Sequence, residues 1–367
     1  MNILVTGSNG FIGKNLITRL NELGMKVTEY SRRNKIEDLS KLVKKADFII
    51  HLAGENRPTN QIDFLISNIQ LTERICQAIL FSNKKIPIIF ASSTQAEYEN
   101  AYGKSKLDAE KVLKKFEADS GNPVYIYRLP GVFGKWCKPN YNSVVATFCY
   151  NISRNLSITV DDHDKELSLI YIDDLVKEFI RVIIGNGDIN ITSIDDQIYK
   201  IKLGMLEALL KDFKNSRESL VSERVGSGFV SKLYSTYVSY LPPSSFSYKI
   251  PSHIDGRGVF AEFLKTKDSG QFSFFTAKPG VTRGEHYHHS KTEKFLVVNG
   301  RARFGFRNII SHKKYNIEAS YNDFQIIESV PGWSHNITNI GNDEMIVIVW
   351  ANQVFDPDNP DTIQFKV

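Results

Sequence analysis

Gly7-Ser8-Asn9-Gly10-Phe11-Ile12-Gly13 decides the fold of the first half of the chain. It follows a short apolar run, Ile3–Thr6, and leads into an amphipathic stretch, Asn15–Leu23. A strand, a glycine-rich turn and a helix in that order form a cradle for phosphate. The glycines permit a tight turn, and bare N–H groups at the helix N-terminus point at the anion. The motif predicts a dinucleotide pyrophosphate against Gly7, Gly10, Phe11, Ile12 and Gly13.

Working outward, Lys26–Tyr30, Asp47–Leu52, Ile86–Ala91 and Val124–Arg128 read as further strands, with helical patterns such as Ser105–Asp119 between them. Strand–helix alternation predicts a Rossmann-type, doubly wound parallel sheet. Helical patterns continue with Asp173–Ile184 and Leu203–Phe213. The texture changes after about residue 240, where Leu241-Pro-Pro-Ser-Ser245 signals a linker. Beyond it lie short β-branched and aromatic runs: Phe272–Ala277, Glu293–Val298, Ala302–Phe306, Phe324–Glu328 and Met345–Trp350. These predict an all-β sandwich or small barrel. The expected fold class is α/β plus all-β, in two domains, 1–243 and 244–367.

The 367 residues are 42% hydrophobic and 24% charged, an ordinary globular composition. A net charge of +5 is too small for a nucleic-acid binder that works by counterion release. Residues 251–367 carry equal numbers of acidic and basic side chains, so the excess lies earlier. That suits a first half that binds a small anion. Cys76, Cys137 and Cys149 make no C-x-x-C pair and are expected to be reduced. No apolar run approaches the ~20 residues of a membrane span, and no signal peptide opens the chain. The expected location is cytoplasmic.

Three further features carry chemistry. The second strand ends in Ser31-Arg32-Arg33, where an NAD enzyme usually has a carboxylate for the ribose 2′-hydroxyl. Two guanidinium groups suit a 2′-phosphate, so the expected cofactor is NADPH. Tyr102 and Lys106 stand one turn apart on one helix face, with Ser92-Ser93-Thr94 ending a strand upstream. A nearby ammonium is expected to pull the tyrosine hydroxyl down toward working pH, for proton donation to a carbonyl oxygen. The third feature is Gly280-x5-His286-x-His288-x4-Glu293-x6-Gly300, with His335 some 40 residues on. Alternation along a strand points His286 and His288 the same way. Three imidazoles and a carboxylate suit one divalent metal, zinc first, with nickel, iron and manganese as alternatives.

Residues 1 to about 240 resemble the extended short-chain dehydrogenase/reductases that act on nucleotide sugars. The likeness rests on the glycine motif, His51-Leu52-Ala53-Gly54, the Ser-Ser-Thr strand end, Tyr102-x-x-x-Lys106, Arg128-Leu-Pro-Gly-Val-Phe-Gly134 and Tyr171-Ile-Asp-Asp174. The resemblance implies that Tyr102 donates the proton, Lys106 tunes it and holds the ribose, and Ser93 (or Thr94) binds the substrate carbonyl. It also implies that Leu52 and Ala53 contact the cofactor. Gln95-Ala96 stand where sugar-nucleotide dehydratases carry Asp-Glu, which favours simple carbonyl reduction. The family's asparagine after the arginine is Gly131, and Lys135, Lys138 and Asn140 are candidates for a diphosphate.

The histidine motif and Pro331-Gly-Trp-Ser-His335-x3-Asn339 resemble the cupin family. Asp255-Gly-Arg-Gly-Val-Phe-Ala-Glu262 is similar to the opening of cupin-type epimerases acting on nucleotide-linked 4-keto-6-deoxy sugars. The two halves together resemble the bifunctional reductase–epimerases of bacterial capsular polysaccharide synthesis. That implies a UDP-linked 2-acetamido-2,6-dideoxy-4-hexulose as substrate, C3 epimerisation in the cupin half, C4 reduction in the first half, and a homodimer through the cupin half. His289, Tyr287 and Lys294 are the candidate bases at C3. Two other readings stay open: a reductase whose cupin half only dimerises, and a cofactor-loaded sensor.

Overall fold

A computed structural model describes residues 1–58, 60, 62–185, 194–250, 253–255, 258–260, 264–266, 271–353 and 358–367. The chain forms two compact units: residues 1–132 with 168–200, and residues 133–167 with 201–367.

In the first unit, β1 (Asn2–Thr6), β2 (Lys26–Tyr30), β3 (Phe48–His51), β4 (Ile88–Ser93) and β5 (Val124–Leu129) make one parallel sheet in the order β2-β1-β3-β4-β5. Every residue of β3 and β4 is buried, as expected of central strands covered on both faces. That is why their sequences are continuous apolar runs rather than alternating ones. The helices α1 (Phe11–Glu22) and α2 (Asp38–Lys45) follow β1 and β2. The short helix α3 (Ile62–Phe64) runs through a π-helical turn, Leu65–Gln70, into α4 (Leu71–Ser82). Helix α5 (Ala101–Ser120) leads to β5.

Two glycines of the opening motif are required by space. Gly7 has φ +69°, and a Cβ there would lie 2.7 Å from the Ala53 nitrogen at the end of β3. A Cβ on Gly13 would lie 2.5 Å from the Gly7 carbonyl oxygen, so α1 could not pack this close to the turn. The motif is therefore needed for helix–strand contact as well as for an open phosphate cradle.

In the second unit, two five-stranded antiparallel sheets carry the C-terminal half. One runs in the order Ser247–Lys249, Gln325–Glu328, Glu293–Asn299, Met345–Ala351, Gln271–Ala277. The other runs Lys314–Ser320, Arg301–Asn308, Trp333–Asn339, Thr282–Tyr287, Ile363–Gln364. Their inner faces meet through Phe295 and Phe304, with ring centroids 5.8 Å apart. The all-β expectation holds, and four strands that the sequence reading did not delimit (Thr282–Tyr287, Lys314–Ser320, Trp333–Asn339 and Ile363–Gln364) complete the second sheet. Helices Val144–Ile152 and Gly228–Ser239 were also not expected. Asp255–Glu262 falls partly outside the described residues; what is described is a two-stranded pair, His253–Asp255 with Gly258–Phe260.

Candidate active site and metal centre

The first unit holds a cavity of about 670 Å³ over the glycine turn. Gly7, Gly10, Ser31, Arg32, Arg33, Leu52 and Ala53 all line it, as the sequence predicts; Phe11, Ile12 and Gly13 do not. Phe11 and Ile12 lie in the first turn of α1, and Gly13 is buried against the turn. The N-terminus of α1 has no side-chain cap and no acidic residue in its first turn. Its bare amides and positive dipole end suit an anion in the cavity, so the residues present fit a dinucleotide. Arg32 is paired with Glu55, while Arg33 is exposed. Arg74 also lines the cavity and was missed by sequence reasoning. It comes from α4, whose placement against the cavity no local motif announces. Glu29, the one carboxylate on β2, is not among the lining residues.

Helix α5 starts at Asn100, whose side chain accepts the Gly103 N–H at 2.8 Å. That cap sets Tyr102 in the first turn and Lys106 one turn later. The Tyr102 hydroxyl hydrogen-bonds Ser93, at the end of β4. Ser93 also caps the following turn by accepting the Gln95 N–H at 3.2 Å. Thr94 turns the other way, toward the Leu129 carbonyl oxygen. Of the two, Ser93 is the one beside the Tyr102 hydroxyl. Lys106 is buried; its ammonium donates to the Ala91 carbonyl oxygen at 2.8 Å and lies 4.8 Å from the Phe90 ring centre.

One electrostatic expectation is corrected. Tyr102 is not pulled down: burial raises it above its ordinary value, against the lowering effect of the Ser93 hydrogen bond. The reason is that Lys106 is committed to a backbone carbonyl and is itself desolvated. Burial brings it down to about 8, with Glu110 opposing. A neutral phenol remains, which is the form that can donate a proton.

In the second unit, His286, His288, Glu293 and His335 converge, with one donor atom from each lying within 4.8 Å of the others. The three imidazole centroids are 4.9–5.4 Å apart. Glu293 Oε2 lies 3.0 Å from His288 Nε2 and 3.3 Å from His335 Nε2. A bulge at Glu285, which has φ +63°, lets His286 pair with His335 across the strands. Ligands around one ion at about 2.1 Å stand at most about 4.2 Å apart, so small side-chain rotations would close the set on a metal. The buried His335 Nδ1 has no hydrogen-bond partner. Burial would raise Glu293, but His288 and His335 beside it hold its carboxyl well below the usual range. His286 is brought down to about 4 by burial, with His335 and His288 adding to the effect. Imidazole nitrogens gathered around a carboxylate are the donor set a divalent metal needs.

The three candidate bases fare differently. Lys294 is excluded: adjacent to Glu293 in a strand, it faces the opposite side. There it pairs with Glu328 and donates to the Tyr248 hydroxyl at 3.0 Å. Arg217 completes this buried group, 2.9 Å from Glu328. Tyr287, the last residue of its strand, and His289, in the bend that follows, meet edge to face with centroids 5.5 Å apart. Among the diphosphate candidates, Lys135 is buried beside Trp136, whereas Lys138 and Asn140 are exposed. Among the described residues, no helix is long and apolar enough to cross a membrane.

Residues 3–191 match the NAD dependent epimerase/dehydratase family, and residues 253–363 match a polysaccharide biosynthesis C-terminal domain. The chain is 52% identical over 368 residues to a UDP-2-acetamido-2,6-beta-L-arabino-hexul-4-ose reductase of Pseudomonas aeruginosa, covering all of this chain and 99% of the relative. Among solved structures, the capsular polysaccharide assembling protein CapF of Staphylococcus aureus is 42% identical, with a TM-score of 0.67 and both chains covered in full. A glycine-turn cavity beside a Ser–Tyr–Lys set, and likeness along the whole chain, lead to one assignment: the chain belongs to the NAD dependent epimerase/dehydratase family, in its CapF-type group.

Proposed function

We propose that this chain is a two-site nucleotide-sugar enzyme of capsular or surface polysaccharide synthesis. The first unit reduces the C4 ketone of a UDP-linked 2-acetamido-2,6-dideoxy-4-hexulose with NADPH. The metal cluster epimerises C3 of the same sugar. The product is UDP-N-acetyl-6-deoxy-L-talosamine, a precursor of UDP-N-acetyl-L-fucosamine. We place the functional boundary at residues 243/244, within the stretch that neither family match covers, whereas the compact units exchange chain earlier, at 132/133, 167/168 and 200/201. The observation that carries the reading is the neutral, half-buried Tyr102 hydroxyl beside Ser93, on a chain similar from end to end to a 4-ulose reductase.

The chemistry follows from the residues. Bound in the cavity, NADPH supplies a hydride. Tyr102 gives its hydroxyl proton to the ketone oxygen as that oxygen gains charge. Ser93 donates a second hydrogen bond to the same oxygen and fixes the carbonyl. Lys106 contributes positive charge beneath the site and a donor for the ribose. In the other half, His286, His288, Glu293 and His335 would hold a divalent ion, zinc first, and the resemblance to cupins gives this half its fold name. Such an ion supplies Lewis-acid stabilisation to an oxygen that becomes negative when the C3 proton leaves. Reduction at C4 then removes the acidity and locks the new C3 configuration. The protein works in the cytoplasm as a homodimer through the barrel half, where edge strand Gln271–Ala277 presents Phe274, 71% exposed.

The test uses the 4-keto sugar nucleotide in D2O without NADPH, followed by mass spectrometry and NMR. Enzyme-dependent deuterium at C3 is expected, and NADPH is oxidised when added. NADPH oxidation with C3 still protonated would leave a reductase whose barrel only dimerises.

Cofactor choice gives a second prediction. Arg33 and Arg74 line the cavity together with Ser31 and Arg32 at the end of β2, the strand end that meets the ribose in dinucleotide folds. Replacing either by Ala should raise the KM for NADPH by roughly 10–100-fold, the scale of hydrogen bonds to charged groups. The KM for NADH should stay within about twofold, because its ribose carries no phosphate there. Equal losses for both cofactors would reject the 2′-phosphate assignment.

Lys106 sets a third. Since burial lowers it to about 8, its charge is present below that pH and lost above it. Tyr102, raised by burial, keeps its proton across that range. The kcat/KM for ketone reduction should therefore fall above about pH 8. A profile flat to about pH 9.5 would remove Lys106 from this role.

A further inference from the structure

The C-terminal segment touches the metal cluster at more than one point, and no sequence motif announced it. Asp361 gathers the turn that joins two of the ligands. Its Oδ1 accepts the His289 N–H at 2.8 Å. Its Oδ2 accepts the Ser290 N–H at 2.7 Å, the Ser290 hydroxyl at 2.9 Å and the Lys291 N–H at 2.8 Å. Three successive amides and a hydroxyl thus converge on one carboxylate, a nest for an anion that the chain itself provides. His288 precedes this turn and Glu293 follows it.

The backbone of the same residue acts on the ligand directly. The Asp361 carbonyl oxygen accepts a hydrogen bond from His288 Nδ1. A carbonyl can only accept, so the proton sits on Nδ1 and the Nε2 lone pair faces the cluster. His288 Nε2 is the atom 3.0 Å from Glu293 Oε2. Two residues on, Ile363–Gln364 pairs with His286–Tyr287, so the same segment also borders a second ligand.

We propose that Asp361 is a positioning residue of the metal centre, fixing the tautomer and orientation of His288 through its carbonyl and the span from His288 to Glu293 through its carboxylate. This rests on the reading of the four residues as a metal site. A ligand histidine whose second nitrogen is held has its orientation set in advance, and losing such a partner typically weakens metal binding 10–100-fold.

The experiment uses the full chain, wild type and with Asp361→Ala or Asp361→Asn. The asparagine variant keeps size and shape but presents an amide N–H to donors. Zinc affinity is read by competition with a chromophoric chelator. The absorption spectrum of the cobalt-loaded protein reports ligand geometry, and melting reports folding. Wild type should bind one zinc ion. The variants should bind it roughly 10–100-fold more weakly, with an altered cobalt spectrum. Should both variants fail to fold, Ser290→Ala removes only one of the four donors and is expected to weaken zinc roughly 2–10-fold. Wild-type zinc binding with unchanged affinity and spectrum in the folded variants overturns this inference alone, even where melting falls. No zinc binding by wild type overturns the metal reading, and this inference with it.

Discussion

Tyr102→Phe should lower kcat for NADPH-dependent ketone reduction by roughly 10²–10⁴-fold, the range assigned to a positioned general acid. The substitution deletes one oxygen and keeps the ring, whose centroid lies 6.1 Å from that of Phe64. The lost hydrogen bond to Ser93 costs only about 0.5–1.5 kcal/mol of stability, so the variant should remain folded. Binding of NADPH should change little, because Tyr102 is not among the residues lining the glycine-turn cavity. Deuterium incorporation at C3 should continue at the wild-type rate, since that chemistry belongs to the histidine cluster. Single-turnover NADPH oxidation and C3 exchange, measured on the same preparation, separate the two. A variant that reduces the ketone at the wild-type rate would show that the proton comes from elsewhere and would revive the reading of a cofactor-loaded sensor.

The burial of Tyr102 gives this prediction its direction. An exposed tyrosine beside an exposed lysine would sit near its ordinary value and lose its proton more readily. Here desolvation acts on both groups, keeping the phenol protonated and bringing Lys106 down to about 8. Desolvation also strengthens any hydrogen bond to an oxygen gaining charge, because little water competes for it.

Much of this was legible before any coordinates, and the reason is locality. Gly13 is constrained by Gly7 and Ser8 inside one strand–turn–helix unit, and Gly7, although it packs against Leu52 and Ala53 beyond β3, belongs to a motif whose spacing is set within that unit. Tyr102 and Lys106 are one helical turn apart, so their spacing already sets them on one face. His286 and His288 follow the strand period. What escaped depends on long-range packing. Arg74 reaches the cavity because α4 happens to lie against it. Asp361 reaches His288 across 73 positions. Lys294 was misread because sequence adjacency to Glu293 suggests proximity, whereas neighbours in a strand point to opposite faces. The direction of the Tyr102 shift was missed because a motif shows a charge nearby but says nothing about how deeply both groups are buried.

Removing the metal should separate the two halves of the chemistry most completely. Dialysis against a strong chelator is expected to release one equivalent of divalent metal and to abolish C3 exchange. NADPH binding to the first unit should be unaffected. His288→Ala should give the same loss permanently, since it removes a ligand buried to 1% exposure and leaves Glu293 with His335 as its remaining close imidazole. Glu293 is held ionised by its histidines, and His286, down at about 4, is neutral at neutral pH. The site therefore offers lone pairs to a cation without first shedding a proton from His286. A ligand bound to the native state alone stabilises it by about 2.7–4.1 kcal/mol at 100–1,000 times its Kd. The melting transition of the barrel half should fall by roughly 5–15 °C on chelation, at about 2–4 °C per kcal/mol for a unit of this size. Readdition of zinc should restore both the transition and the exchange in wild type, but in His288→Ala neither. Exchange at C3 that survives chelation, with metal content verified near zero, would leave the histidine cluster a structural centre and move the epimerisation to groups outside it.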